Sequence, residues 1–146
     1  MKIALCQINP TVGAINQNKK IILETYSRAI DLEADVIVFP ELAITGYPPQ
    51  DLLLRDRFII NAQNALNEIA QKSTIPVILG NTLIEHNKLY NCAFICENGE
   101  IVSHYKKRLL PTYDVFDEAR YFAAGNKYCI VELAIDGKNT KIGLQI

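Results

Sequence analysis

The stretch that most constrains this chain is residues 36–54, VIVFPELAITGYPPQDLLL. It opens with Val36, Ile37, Val38 and Phe39, an unbroken apolar run of the kind a strand shows when both of its faces are buried in a parallel sheet. Pro40 lacks the N–H that a ladder needs, so the strand ends there. Glu41 follows immediately. A carboxylate just past the end of a buried strand is poorly placed for packing and well placed for chemistry, because ligands in open α/β sheets gather at the carboxyl ends of strands. Taken alone, Glu41 reads as a solvated loop acid. The loop beyond it, Thr45, Gly46, Tyr47, Pro48 and Pro49, is stiffened by its two prolines.

The chain has 146 residues, which suits one domain, and about half of them are apolar. A chain of this size buries roughly 70% of its unfolded surface. The net charge of −1 leaves no basic field for nucleic acid. The four cysteines, Cys6, Cys92, Cys96 and Cys129, show no metal-ligand spacing. Cys92 and Cys96 fall on one face of one predicted strand, too far apart along it for an easy bridge, so reduced thiols and a cytoplasmic location are expected. No signal peptide, no membrane span and no metal site are expected either.

Residues 2–8 read as a first strand and residues 9–13 as a turn. A helix over 16–33 carries Ile22, Tyr26, Ala29 and Ile30 on one stripe, with Asn16 or Asn18 as its cap. With the strand at 35–39, these pieces make a β–α–β unit with parallel strands. A second helix, capped by Asp56, buries Phe58, Ile59, Ala62, Ala65, Leu66, Ile69 and Ala70. Residues 77–80 form a third strand. Then the pattern changes to hairpins. The first is 89–96 with 101–107 around Asn98-Gly99, a turn whose residues favour positive φ. The second is 128–135 with 140–146 around Asp136-Gly137.

The first of these hairpins ends in Lys106 and Lys107. Neighbours on a strand face opposite sides, so one lysine can be solvated while the other points inward. An aromatic and acidic loop follows, from Thr112 to Phe122. It is either a hydrophobic latch, with Asp117 and Arg120 on its surface, or the wall of a small polar pocket. An inward lysine near Glu41 would pair a general base with an oxyanion-stabilising cation. Acyl transfer would still need a nucleophile. All four cysteines lie inside predicted strands, where a thiol usually serves as a small apolar side chain.

Three blocks in order resemble the nitrilase superfamily of carbon–nitrogen hydrolases: ALCQINPTVGAINQN, VIVFPELAITGYPPQDLL and LYNCAFICENGEIVSHYKKRLLPTYDVFDEARYF. The third is most similar to the N-terminal glutaminase domain of glutamine-dependent NAD synthetases. The resemblance covers the whole chain, 1–146, as the N-terminal part of one amidase domain. It implies an α/β fold, the α-β-β-α sandwich of the nitrilase type, present as an incomplete portion. It also implies a Glu-Lys-Cys triad, with Glu41 as the base and Lys107 as the oxyanion cation. Glu118 becomes a supporting acid, and Tyr47, Tyr113 and Phe116 become walls of the substrate pocket.

In the family the cysteine follows a strand reading Gly-Leu-x-Ile. Here Gly143, Leu144, Gln145 and Ile146 are the final residues, so the resemblance implies a chain cut just before its nucleophile and inactive by itself. It implies L-glutamine as substrate and a separate synthetase domain as partner, using ATP and magnesium to amidate deamido-NAD. Uncovered strand edges imply a homo-oligomer. Two rivals remain at this stage: a stand-alone amidase of the same superfamily, such as an ω-amidase or carbamoylase, and a non-catalytic half-domain serving in binding or assembly.

Overall fold

A computed structural model describes residues 1–135 and 137–146. Its centre is a five-stranded sheet in sequential order: β1 (Ile3–Leu5), β2 (Val36–Val38), β3 (Val77–Glu85), β4 (Lys88–Glu97) and β5 (Glu100–Lys106). The β1–β2 and β2–β3 pairs are parallel, and the two following pairs are antiparallel. The change of direction matches the change in pattern. The β–α–β half supplies parallel strands, and the hairpins supply the rest.

Helices α1 (Ile15–Asp31) and α2 (Asp56–Lys72) cover one face of this sheet. Ile22 and Ala29 from α1 and Ala62, Leu66 and Ile69 from α2 pack on Ile37, Leu79 and Phe94. Alternation along the strands sends Val36, Ile78, Ala93 and Ile95 to the opposite face. There they meet Leu133 and Ile135 of a separate two-stranded sheet, β6 (Cys129–Ile135) with β7 (Lys138–Leu144). The layers therefore run helix, sheet, sheet. Burial on both faces explains why residues 36–39 are apolar without a break.

Several boundaries differ from expectation, for physical reasons. Strand pairing reaches beyond β2 at both ends, through the Asp35 N–H to the Lys2 carbonyl and the Phe39 N–H to the Ile78 carbonyl, both at 2.8 Å. Strand β3 does not stop at Gly80. It continues to Glu85 and turns into β4 through His86 and Asn87, with φ of +50° and +59°. Both central residues of this hairpin are left-handed, as in Asn98-Gly99, but no glycine advertises it. Asp136 of the second expected turn lies outside the described residues.

Neither helix is capped as expected. Helix α1 starts after Ala14 and α2 after Arg55, and neither has a side-chain cap bond; Asp56 is already helical. Asn18 instead sits fully buried inside α1. Its amide accepts from the Thr11 N–H at 2.9 Å and donates to the carbonyls of Thr11 and Ile44 at 2.8 and 2.9 Å. It thereby ties the loop after β1 to the loop that carries Glu41. Asn18→Ala would remove three hydrogen bonds, one of them to the buried Ile44 carbonyl, and urea unfolding should show a loss of about 1–3 kcal/mol.

Candidate active site

Glu41 is presented by an unusual corner. The backbone leaves β2 through Pro40 and turns at Leu42, whose φ of +47° places a fully buried, non-glycine residue in the left-handed region. Such a residue costs about 1–3 kcal/mol and persists only where its surroundings hold it. Leu42 is held by Leu53, Ile59 and Phe122. The corner lies so close to β3 that a Cβ on Gly80 would stand 2.1 Å from the Leu42 nitrogen and 2.8 Å from the Glu41 Cα. Gly80 also donates its N–H to the Pro40 carbonyl at 3.2 Å.

Lys107 follows β5 and is only 7% exposed. Its N–H donates to the Asn91 carbonyl, and its own carbonyl accepts from the Gly125 N–H, both at 2.8 Å. Gly125 runs against this backbone too closely for any side chain, since its Cβ would lie 2.4 Å from the Lys106 carbonyl oxygen. Lys106 points the other way, pairing with Glu85 and lying over the Tyr90 ring at 4.4 Å. The alternation expected from neighbouring strand residues is thus present.

The inward lysine meets two carboxylates. Lys107 Nζ donates to Glu41 Oε1 at 2.7 Å and to Glu118 Oε1 at 2.9 Å. Glu118 is 6% exposed and opens a short 3-10 turn, Glu118–Arg120. Its Oε1 also accepts from the Tyr47 hydroxyl at 2.9 Å, while its Oε2 is buried with no partner among the described residues. Burial pulls the Lys107 ammonium down, but the hydrogen bonds and charges of both carboxylates outweigh this and leave it above the usual lysine range. Tyr47 is pushed well above a normal phenol by burial, then by its bond to Glu118 and the nearby acids.

Of the expected site residues, Glu41, Lys107, Glu118 and Tyr47 therefore stand in one bonded group. Phe116 lies beside it, its ring 6.4 Å from that of Tyr47. Tyr113 is 68% exposed and reaches the group only through the edge of Phe116, at 5.7 Å. Asn91 was missed. It is fully buried and donates from Nδ2 to Glu41 Oε1 at 2.6 Å. Its signal was a polar residue within the otherwise apolar run of β4.

Two cavities flank the group. One, of about 310 Å³, is walled by Tyr47, Phe116 and Glu118 with the Asp51–Tyr121 contact at its rim, 2.5 Å between oxygens. The other, about 350 Å³ and mostly apolar, lies between the sheets, with Glu41, Gln145 and Ile146 in its wall. All four cysteines are free thiols, and none lies in the bonded group. Burial pushes Cys92 and Cys96 up to about 12 and raises Cys6 as well. Among the described residues no cluster of three or more side chains could hold a metal, and no helix is long and apolar enough to cross a membrane.

The carbon-nitrogen hydrolase family profile matches residues 2–146. The chain belongs to this family. A glutamine-dependent NAD(+) synthetase of Synechocystis sp. is 42% identical over 155 residues, covering 99% of this chain and 27% of that protein. The solved glutamine-dependent NAD+ synthetase of Acinetobacter baumannii superposes with a TM-score of 0.89 at 34% identity, over 97% of this chain and 26% of that one. An amidase from Nesterenkonia sp. superposes at 0.83 with 22% identity, over 99% of this chain and 54% of that one, a likeness of fold alone. This carbon–nitrogen hydrolase chain spans about a quarter of the length of the curated relatives it matches. The expected nitrilase-type α/β fold is borne out, with the chain forming part of it.

Two outcomes test this geometry. Gly80→Ala should cost about 3 kcal/mol in urea unfolding, because the clash is with backbone rather than a movable side chain. A lysine raised on folding stabilises fully below its unfolded value and loses that contribution as pH rises through the folded one. The stability gap between the protein and Lys107→Met should therefore stay flat through neutral pH and close only above about pH 10.4.

Proposed function

We propose that this chain is the N-terminal part of a glutamine-hydrolysing domain, and that the longer enzyme passes the released ammonia to a synthetase domain that amidates deamido-NAD. The observation that carries the reading is the buried Lys107 ammonium shared between Glu41 and Glu118. Relatives named glutamine-dependent NAD(+) synthetase, matched over nearly the full chain, support the choice of glutamine over other amides.

The nucleophile in this reading is a cysteine following Ile146 in the longer polypeptide. The cavity shared by Glu41 and Ile146 supports that placement. Glu41 takes the thiol proton as sulfur attacks the side-chain amide carbon of glutamine. Two of the three Lys107 N–H bonds are committed to the carboxylates. The third is available for the oxyanion of the tetrahedral adduct. Collapse of the adduct breaks the C–N bond, Glu41 returns its proton to the leaving nitrogen, and ammonia departs. Water activated by the same carboxylate then hydrolyses the thioester to glutamate. Tyr47 and Phe116 wall the pocket, with Tyr113 at its outer edge. ATP and magnesium belong, in this reading, to the synthetase domain outside this chain.

Ammonia release from glutamine is the test. The 146-residue chain should give none above the uncatalysed rate, and the polypeptide extended through its nucleophile should turn over. In that longer protein Glu41→Gln and Lys107→Met should each lower kcat by about 10²–10⁴-fold. Absence of ammonia from the longer wild-type protein would sink the reading.

A further inference from the structure

The residue that joins the two halves of the site is Asn91. It lies on β4, between the element that carries Lys107 and the corner that carries Glu41, and it holds both. Its carbonyl accepts from the Lys107 backbone N–H at 2.8 Å. Its side-chain Nδ2 donates to Glu41 Oε1 at 2.6 Å. Only the amide nitrogen can face a carboxylate oxygen at that distance, which fixes the orientation of the group. Its Oδ1 is then left buried with no partner among the described residues. Thr82, directly across on β3, has an unpartnered buried hydroxyl as well. A side chain kept only for packing would not leave such an acceptor unmet, since an apolar residue would fill the place without it.

What Asn91 achieves is visible in how the Glu41 carboxylate is used. Oε1 accepts both the Asn91 amide and the Lys107 ammonium, and neither donor bonds to Oε2. Without the amide, rotation about the last side-chain bond could bring either oxygen, or both, to the ammonium. With it, one oxygen is fixed inward and the other is turned away from both donors. Glu41 itself lines the cavity between the sheets, whose wall also includes Gln145 and Ile146.

We propose that Asn91 is a positioning residue, which assigns the two Glu41 oxygens to separate tasks by locking Oε1 against Lys107 and so leaving Oε2 as the proton acceptor. This rests on the glutaminase reading for its consequence in turnover, but not for its geometry.

The test has two arms on the full-length protein. In a crystal structure of Asn91→Ala, the Glu41 carboxylate should rotate so that Lys107 no longer contacts a single oxygen of it. A carboxylate that keeps its wild-type pose overturns the assignment. In ammonia-release kinetics, Asn91→Ala should lower kcat/KM about 10-fold, with the loss in kcat and the KM for glutamine unchanged. Asn91→Asp sets a like charge against the carboxylate, and the acidic limb of its pH profile should move up by about one unit. Loss of rate in both variants with acidic limbs that coincide with wild type means a structural role only and overturns the proposal. If Asn91→Asp fails to fold, by circular dichroism, the neutral Asn91→Ala decides by its split between kcat and KM. A wild-type protein that releases no ammonia refutes the glutaminase reading alone, and the crystallographic arm still decides whether Asn91 positions Glu41.

Discussion

One ammonium shared by two carboxylates organises this molecule. Lys107, Glu41 and Glu118 come from the end of β5, the corner after β2 and a short 3-10 turn, and they meet within 3 Å of a common nitrogen. Burying charges is expensive: each ion loses several kcal/mol of hydration, and the attraction between them rarely returns more than that. As a stabilising device the group is therefore a poor choice, and an apolar cluster of the same volume would hold the fold at least as well. It also carries more negative charge than positive, and it leaves Glu118 Oε2 buried and unpartnered. A site with those properties makes physical sense as a place prepared for something else to enter.

The surrounding backbone is shaped to that end. Gly80 lets the Glu41 corner lie against β3, and Gly125 lets a later segment lie against the lysine backbone. Leu42 accepts a left-handed conformation that only its burial sustains. Asn18 ties the Glu41 loop to the start of α1. None of these touches the charged group directly. They remove the freedom that two long acidic side chains and a lysine would otherwise have, so the group is held in one arrangement before anything binds.

Much of this could be read in the amino-acid order, and the exceptions have physical causes. Continuous apolar runs and helical stripes depend on burial, so both helices, the parallel strands and the Asn98-Gly99 hairpin were legible. Strand alternation called for one inward lysine of the Lys106–Lys107 pair, and the resemblance chose Lys107. The His86-Asn87 turn was hidden because its left-handed residues are not glycine. Asn18 and Asp56 misled because a polar residue near a helix start is ordinarily a cap, whereas Asn18 is used three-dimensionally by a loop distant in sequence. Asn91 could not be found by spacing at all. Its importance comes from the opposite strand end bringing Glu41 to it, and a contact between residues 50 apart in sequence leaves no local pattern. The resemblance quoted the segment that contains it, and a polar residue in an apolar run marked it as unusual without saying what it would meet.

The two acids look interchangeable in the sequence, yet their surroundings divide the work between them. Glu118 is almost wholly buried, and its bonded oxygen is occupied by both a phenol and the ammonium. Moving it would break two hydrogen bonds at once, so it acts as a fixed counter-charge. Glu41 is half-buried, and its bonds also converge on one oxygen, but its cavity is open between the sheets. A proton can reach that carboxylate and leave it without unmaking the contact that holds Lys107. In the reaction proposed above, proton transfer is therefore assigned to Glu41 and anchoring to Glu118. The same lysine connects them, so any change in charge at Glu41 is felt by the cation that Glu118 anchors.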